Sequence, residues 1–153
     1  MATKAETRAS DLYKEDYYVW AERQAALLRL RRFEELDLEH LVEEVEDLAA
    51  SPKSSVYNNA RVVIEHLLKL QHSPAREPRR LWEASVFEHR SRIEFDLTPR
   101  LRQLLQADLA RVYGIARRNA AAALRRHSEH ASADALPSEC PYTLEQILGD
   151  WLP

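Results

Sequence analysis

The sequence NARVVIEHLLKLQ, residues 59–71, carries apolar side chains almost all the way around a helix. Arg61, Glu65 and Lys69 fall on one narrow polar strip, and His66 lies at the margin of that strip. A helix that is apolar on nearly every side is packed among other helices. The stretch therefore predicts a central helix in which His66 forms a hydrogen bond to a neighbouring helix.

The rest of the chain also shows helical spacing, because apolar residues recur every three or four positions and no stretch alternates like a strand. Asp37, Ser51-Pro52 and Thr98-Pro99 are residue types that begin helices. The predicted helices span residues 11–30, 37–50, 51–72, 80–97 and 99–127, and a short last one is capped by Thr143 and Gln146. We therefore predict an all-α fold, an up-and-down helical bundle of about five main helices plus a short C-terminal capping helix.

The predicted helix over residues 37–50 has one apolar side, which we expect to face inward. Its members are Leu38, Leu41, Val42, Val45, Leu48 and Ala49. Among its acids, only Glu44 and Glu46 lie close enough to the apolar stripe to reach a seam between helices.

Length and composition narrow the class of protein. A chain of 153 residues predicts a single domain over residues 11–153, and the polar residues 1–10 predict a disordered segment. The single cysteine, Cys140, excludes an intramolecular disulfide, and two glycines are too few for phosphate-binding glycine loops. Residues 1–16 lack the apolar segment of a signal peptide, and no apolar run approaches the roughly 20 residues that cross a bilayer. We expect a cytoplasmic protein without membrane association.

Charge is distributed unevenly along the chain. Residues 34–47 contain eight acids and no base, whereas residues 100–126 contain seven arginines and one acid, Asp108. The simplest interpretation is one acidic and one basic solvated helix in the same molecule. Self-association through the opposite patches is an alternative, and so is nucleic-acid binding on the basic helix, Arg100–Arg126. No aromatic residues alternate with those arginines as on a platform for single-stranded nucleic acid, which disfavours that last alternative.

Several motifs together resemble the bacterial family called domain of unknown function 29. They read DYYVW (16–20), QAALLR (24–29), EEVEDL (43–48), HLLK (66–69), WEASVFEHR (82–90) and CPYTLEQIL (140–148). The chain departs from the family pattern at Leu70, at His89 and across residues 124–135. The resemblance implies a small helical domain of unassigned activity and provides no catalytic residue.

One cluster of polar residues from three predicted helices is a candidate site. Glu44, His66 and Arg90, with Trp82 alongside, have the chemistry of a buried hydrogen-bonded network. As a binding site the candidates are Glu44, His66, Trp82, His89 and Arg90. With Glu46 or His89, the Glu44 and His66 side chains are candidate ligands of a divalent metal, although the chain lacks the Glu-x-x-His pairs of di-metal bundles.

The spacing of Arg61 and His66 gives an enzymatic alternative. It fits the loose Arg-x4-6-His pattern of HEPN-type helical ribonucleases, in which histidine transfers protons and arginine stabilises the phosphorane. Five residues along a helix are about 140° apart, so the two side chains do not converge without a partner chain. The favoured hypothesis is a non-enzymatic interaction or regulatory domain, with self-association as one form of that interaction and with no cofactor. The sequence identifies no ligand, partner or pathway.

Overall fold

A computed structural model describes the backbone of residues 9–153 and the side chains from residue 12 onward. Over that range the chain forms eight α-helices and no strand, so the all-α prediction is confirmed. The predicted disorder of residues 1–10 falls mostly on residues outside the described range. The helices are α1 Ala9–Glu15, α2 Tyr17–Arg29, α3 Leu38–His72, α4 Arg79–Asp96, α5 Pro99–Ala107, α6 Leu109–Arg126, α7 His130–Asp134 and α8 Leu144–Leu148.

The chain divides into two compact units, with the boundary between Ala50 and Ser51. The first unit contains α1, α2, a 3-10 turn at Phe33–Glu35 and the beginning of α3. The second contains the rest of α3 and all later helices. The single domain over residues 11–153 stays a prediction.

The predicted first helix, residues 11–30, is two helices in the structure. Asp16 separates α1 from α2 with a non-helical backbone (φ −149°, ψ 87°). Its carboxylate accepts a hydrogen bond from the backbone N–H of Val19, as a helix N-cap does. The prediction of one helix was wrong because an aspartate that caps a new helix does not interrupt the spacing of the apolar residues.

The predicted helix start at Ser51-Pro52 was also wrong. Helix α3 runs without a break for 35 residues, and Pro52 lies inside it. Proline lacks the backbone N–H that would bond to the carbonyl of Leu48, but one missing bond does not end a helix that other contacts hold. The predicted boundary relied on a cap-and-proline signal that does start α5, where Thr98 caps the helix and Pro99 follows.

The core of the second unit is built around the stretch of α3 that the sequence predicted to be central. Val56, Ala60, Val63, Ile64, Leu67 and Leu68 are each fully buried. Side chains from five other helices pack in the same core, among them Val86, Leu105, Ala116, Ala133 and Ile147. Burial around most of the circumference of α3 agrees with the prediction of a central helix from residues 59–71.

The basic region predicted as one helix over residues 99–127 is α5 followed by α6. Asp108 lies between them outside helical geometry, and its carboxylate accepts a hydrogen bond from the hydroxyl of Tyr57 at 2.8 Å. Residues 128–139, which lie outside the predicted helices, contain α7, whose Ala133 is buried. The capping box of α8 was predicted correctly, since Thr143 and Gln146 exchange both hydrogen bonds.

Within the described residues, no helix has the length and apolar character needed to cross a membrane.

The proline in α3 gives the first prediction. Pro52→Ala restores a backbone donor for the Leu48 carbonyl, so the free energy of unfolding should rise by about 1 to 3 kcal/mol in urea denaturation. Pro99→Ala is the matched control, because this proline occupies the first turn of α5, where it fits. Pro99→Ala should lower stability by up to about 1 kcal/mol. A decrease in both variants would contradict the prediction.

Candidate functional site

Helix α2 and the beginning of α3 form an antiparallel helical hairpin in the first unit. Tyr17 at the start of α2 bonds to Glu44 of α3, whereas Trp20, farther along α2, bonds to Asp37. Residue numbers therefore rise along one helix as they fall along the other. Trp20, Gln24 and Leu27 are the buried residues of α2, and they form its side of the seam.

Two tyrosines fix Glu44 at one end of this seam. Tyr13 and Tyr17 donate their hydroxyls to the two carboxylate oxygens of Glu44, each at 2.6 Å. These hydrogen bonds hold the pKa of Glu44 below its usual value and raise that of Tyr13 to about 12. The tyrosine ring of residue 13 also stacks on His40, with centroids 4.0 Å apart. Glu44, predicted as a ligand or network residue, thus has both oxygens engaged.

Asp37 forms a second polar group at the other end of the seam. It accepts hydrogen bonds from Trp20 Nε1 at 3.1 Å and from His40 Nδ1 at 2.8 Å. Burial acts to raise the pKa of Asp37, but the bonds from His40 and Trp20 outweigh it and hold the pKa below its usual value. The backbone N–H of Asp37 donates to Gln24 Oε1 at 2.9 Å. These bonds fix the register of the hairpin.

One side of this hairpin is apolar on both helices. On α2, each residue of this side comes one position after a buried seam residue: Ala21, Ala25 and Leu28. On the other side of the seam, each comes one position after Asp37, Leu41 or Glu44: Leu38, Val42 and Val45. In an antiparallel pair, positions one step beyond the seam lie on the same side. Tyr18 and Leu48 extend this side at its edges. We call the following eight residues the hairpin face: Tyr18, Ala21, Ala25, Leu28, Leu38, Val42, Val45 and Leu48.

The larger side chains of the hairpin face are exposed. Leu38 is 60%, Val42 55%, Val45 62% and Leu48 74% exposed. The prediction that these residues face inward was therefore wrong for all but Leu41, which is partly buried. The helical wheel correctly identified an apolar side. It did not show that this side lies beside the seam with α2 and not within it. The seam is lined by Asp37, His40, Leu41 and Glu44.

His66 lies in the second unit and has surroundings unlike those of Glu44. Its Nδ1 is buried, and no hydrogen bond among the described residues reaches it. Burial and the nearby Lys69 lower the pKa of His66 to about 4, despite the opposing charge of Glu65 and with a small contribution from His89. His66 is neutral at pH 7. The hydrogen bond to a neighbouring helix that we predicted from its position is not present at this atom.

Two further candidate residues, Trp82 and His89, belong to α4. His89 is partly buried, and its Nδ1 lies 2.8 Å from the carbonyl oxygen of Ser85, the geometry of a donated intrahelical bond. Trp82 is partly buried against the core of the second unit. His89 has the hydrogen-bonded packing role that a histidine on an apolar helix face usually has.

Arg90 binds the C-terminal segment. Its Nε donates to the carbonyl of Ile147 at 2.9 Å, and its Nη2 donates to Gln146 at 2.7 Å and to Trp151 at 2.8 Å. The first two acceptors are carbonyls at the end of α8, which lack partners within that helix. Arg90 therefore caps α8 from another helix, and backbone atoms are its partners.

The remaining candidates are Arg61 and Glu46. Arg61 lies 3.8 Å from Glu65, which also binds Lys69 at 2.7 Å, so the predicted polar strip is a row of ion pairs. Glu46 is exposed. Among the residues with described side chains, no group of three or more His, Cys, Asp or Glu is placed to hold a metal ion.

These features define an all-α protein whose N-terminal hairpin exposes an apolar face and whose C-terminal helix is capped by an arginine. The chain belongs to the family described as Domain of unknown function DUF29, whose sequence profile matches residues 12–152. The resemblance in the motifs is thereby confirmed. No curated protein and no solved structure matches the chain.

The lowered pKa of His66 predicts a pH dependence of stability. The unfolded chain takes up the proton first, so the contribution of neutral His66 is complete above pH 6.5 and is lost as the pH falls toward about 4. His66→Leu removes this loss. Urea unfolding at pH 7.5 and pH 5.0 should show the variant gaining on the wild type at the lower pH. His127→Leu, at an exposed histidine, is the matched control for the change to leucine. An equal difference in unfolding free energy between His66→Leu and the wild type at both pH values would contradict the prediction.

The role of Arg90 gives a prediction about the C-terminal segment. Arg90→Met removes the donors of three hydrogen bonds and should lower the free energy of unfolding by about 1 to 3 kcal/mol. Hydrogen exchange should accelerate in residues 144–151. Arg92→Met is the control, because Arg92 pairs with the exposed Glu88 and its replacement should change stability by about 0.5 kcal/mol or less. Unchanged hydrogen exchange in residues 144–151 would contradict the role of Arg90 as the cap of α8.

Proposed function

We propose that the protein is a non-enzymatic interaction domain that self-associates through the hairpin face. The observation that carries this proposal is the exposure of Leu38, Val42 and Val45 in line with Leu28 of α2. Two hairpins that pack face to face form a four-helix arrangement, in which each buries the apolar side of the other. A second copy suits this surface because one two-fold axis makes the patch its own partner.

The size of the hairpin face is compatible with a dimer. Its six larger side chains are between 46% and 74% exposed. At on the order of 100 Å² of buried area each, two copies together bury roughly 1,200 Å², the lower end of the range for specific protein interfaces. Ala21 and Ala25 lie between the larger residues of α2, and such small side chains let a second helix approach closely.

The small core of the hairpin also favours a partner. Trp20, Gln24 and Leu27 are the buried residues of α2, and the Nε2 of Gln24 is buried without a hydrogen-bond partner among the described residues. The first unit ends at Ala50, so it is close to the size, about 40 residues, below which a chain usually requires cross-links, a metal or association to fold stably. Burial of the hairpin face against a second copy gives this unit the larger apolar core that its own chain lacks.

Salt dependence separates this proposal from association through opposite charges. Residues 34–47 hold eight acids, so two hairpins repel each other over a distance of about 8 to 10 Å in physiological salt. Added salt weakens that repulsion, and association through the hairpin face should become tighter. Binding of the acidic stretch to the arginines of residues 100–126 in a second copy should instead become weaker with salt.

The central prediction uses two valines of the hairpin face. Val42→Gln with Val45→Gln replaces four valines per dimer and should weaken dimerisation roughly 100-fold to 1,000-fold. Glutamine is a better helix former than valine, so α3 should remain helical in circular dichroism. Analytical ultracentrifugation at 50 mM and 500 mM NaCl measures the dissociation constant.

Val19→Gln is the matched control, because Val19 is 45% exposed and lies on the other side of α2. It should change the dissociation constant less than about threefold. A wild-type monomer at all accessible concentrations would refute self-association. Association that weakens with salt and ignores the two valine changes would assign it to the opposite charge patches.

A further inference from the structure

Three arginines of α6 line one cavity beside α7. Arg117, Arg118 and Arg125 surround a space of about 380 Å³, whose other lining residues are three alanines and Asp134. The alanines, Ala121, Ala122 and Ala133, are too short to fill the space between the guanidinium groups. Three permanent positive charges therefore face one carboxylate across a concave surface.

Two of these guanidinium groups make hydrogen bonds within the second unit. Arg117 donates through Nε and Nη2 to the carbonyl of Leu136, at 3.3 and 3.2 Å. Arg125 donates through Nη2 to Asp134 at 2.7 Å. Each keeps further N–H groups for another acceptor, because a guanidinium has five donors. Arg118 is exposed and makes no hydrogen bond among the described residues.

The lining residues favour one chemical class of ligand. A planar guanidinium group donates two parallel hydrogen bonds to the oxygen atoms of a phosphate or carboxylate group. Two neighbouring guanidinium groups therefore suit an anion with several adjacent oxygens. No aromatic side chain lines the cavity, so it offers no surface on which a nucleic-acid base would stack. Its volume is near the lower end of the range for small-molecule pockets.

We propose that this arginine cavity binds the phosphate groups of a small molecule that carries two or more adjacent phosphates. Arg117 and Arg125 position the anion, and Arg118 closes on it from solvent. Asp134 competes with the ligand for Arg125. All residues of the arginine cavity belong to the second unit, whereas those of the hairpin face belong to the first.

Isothermal titration of the full chain with inorganic tripolyphosphate at low salt tests the proposal. One equivalent should bind per chain. Arg118→Gln removes no hydrogen bond of the fold and should raise the dissociation constant about tenfold to 100-fold. Asp134→Asn should lower the dissociation constant, because it removes the competing charge and releases Arg125.

Arg126→Gln is the control with the same change of charge, since Arg126 is exposed on α6 but does not line the cavity. It should alter the dissociation constant less than about threefold if the cavity is the site. Equal weakening by Arg118→Gln and Arg126→Gln, weaker binding by Asp134→Asn, or no saturable binding would each overturn the proposal. The last measurement is a competition between tripolyphosphate and a single-stranded RNA 20-mer. RNA that binds and is not displaced by tripolyphosphate would overturn the proposal and favour a nucleic-acid surface.

Discussion

Burial of most of the circumference of α3 between Val56 and Leu70 is the constraint from which the second unit follows. A helix that is apolar around nearly all of its circumference is stable in water only when other helices cover its apolar sides. Side chains of α4, α5, α6, α7 and α8 join the same core. Polar groups are tolerated on this stretch where they pair, as Lys69 does with Glu65 although it is only 8% exposed. His66, with a buried and unpaired Nδ1, is the exception.

The beginning of the same helix follows the opposite rule. Between Leu38 and Ala50 one side of α3 meets α2 through a seam that is largely polar, and its apolar side is exposed. Hydrogen bonds across a polar seam fix the register of the two helices. They add little net stability, because they replace hydrogen bonds to water. Under the self-association proposed above, the two sides have different roles. The hydrogen bonds of Asp37 and Glu44 hold the hairpin together, and the exposed apolar side meets the second copy.

The sequence predicted those features that depend on local spacing. The central helix, the capping box of Thr143 and the start of α5 each depend on residues within a few positions of one another. Features that depend on the balance between local preference and tertiary contacts were not predicted. Asp16 and Asp108 end helices although the apolar spacing runs through them, whereas Pro52 fails to end one, because tertiary contacts outweigh local preference.

The candidate site was predicted less well than the fold, for a physical reason. Sequence reasoning paired Glu44, His66 and Arg90 because their charges and polarity are complementary. In the structure the partners of Arg90 are backbone carbonyls, which every residue has and which no sequence pattern marks. The apolar side of α3 was recognised, but a helical wheel does not tell whether the chain itself or a second molecule covers it. The arginine cavity was visible only as part of a basic region.

The capping of α8 by Arg90 also affects the order in which the chain folds. Its hydrogen bonds join residues 56 to 61 positions apart, so each closes a long loop before it contributes any stability. During synthesis, α3 and α4 are complete well before residues 146–151 exist, and until then the guanidinium of Arg90 remains bonded to water. Because of this loop closure, we expect the contact to contribute little to the folding transition state. Interactions that form after the transition state mainly slow unfolding, so loss of the Arg90 contacts should speed unfolding more than it slows folding.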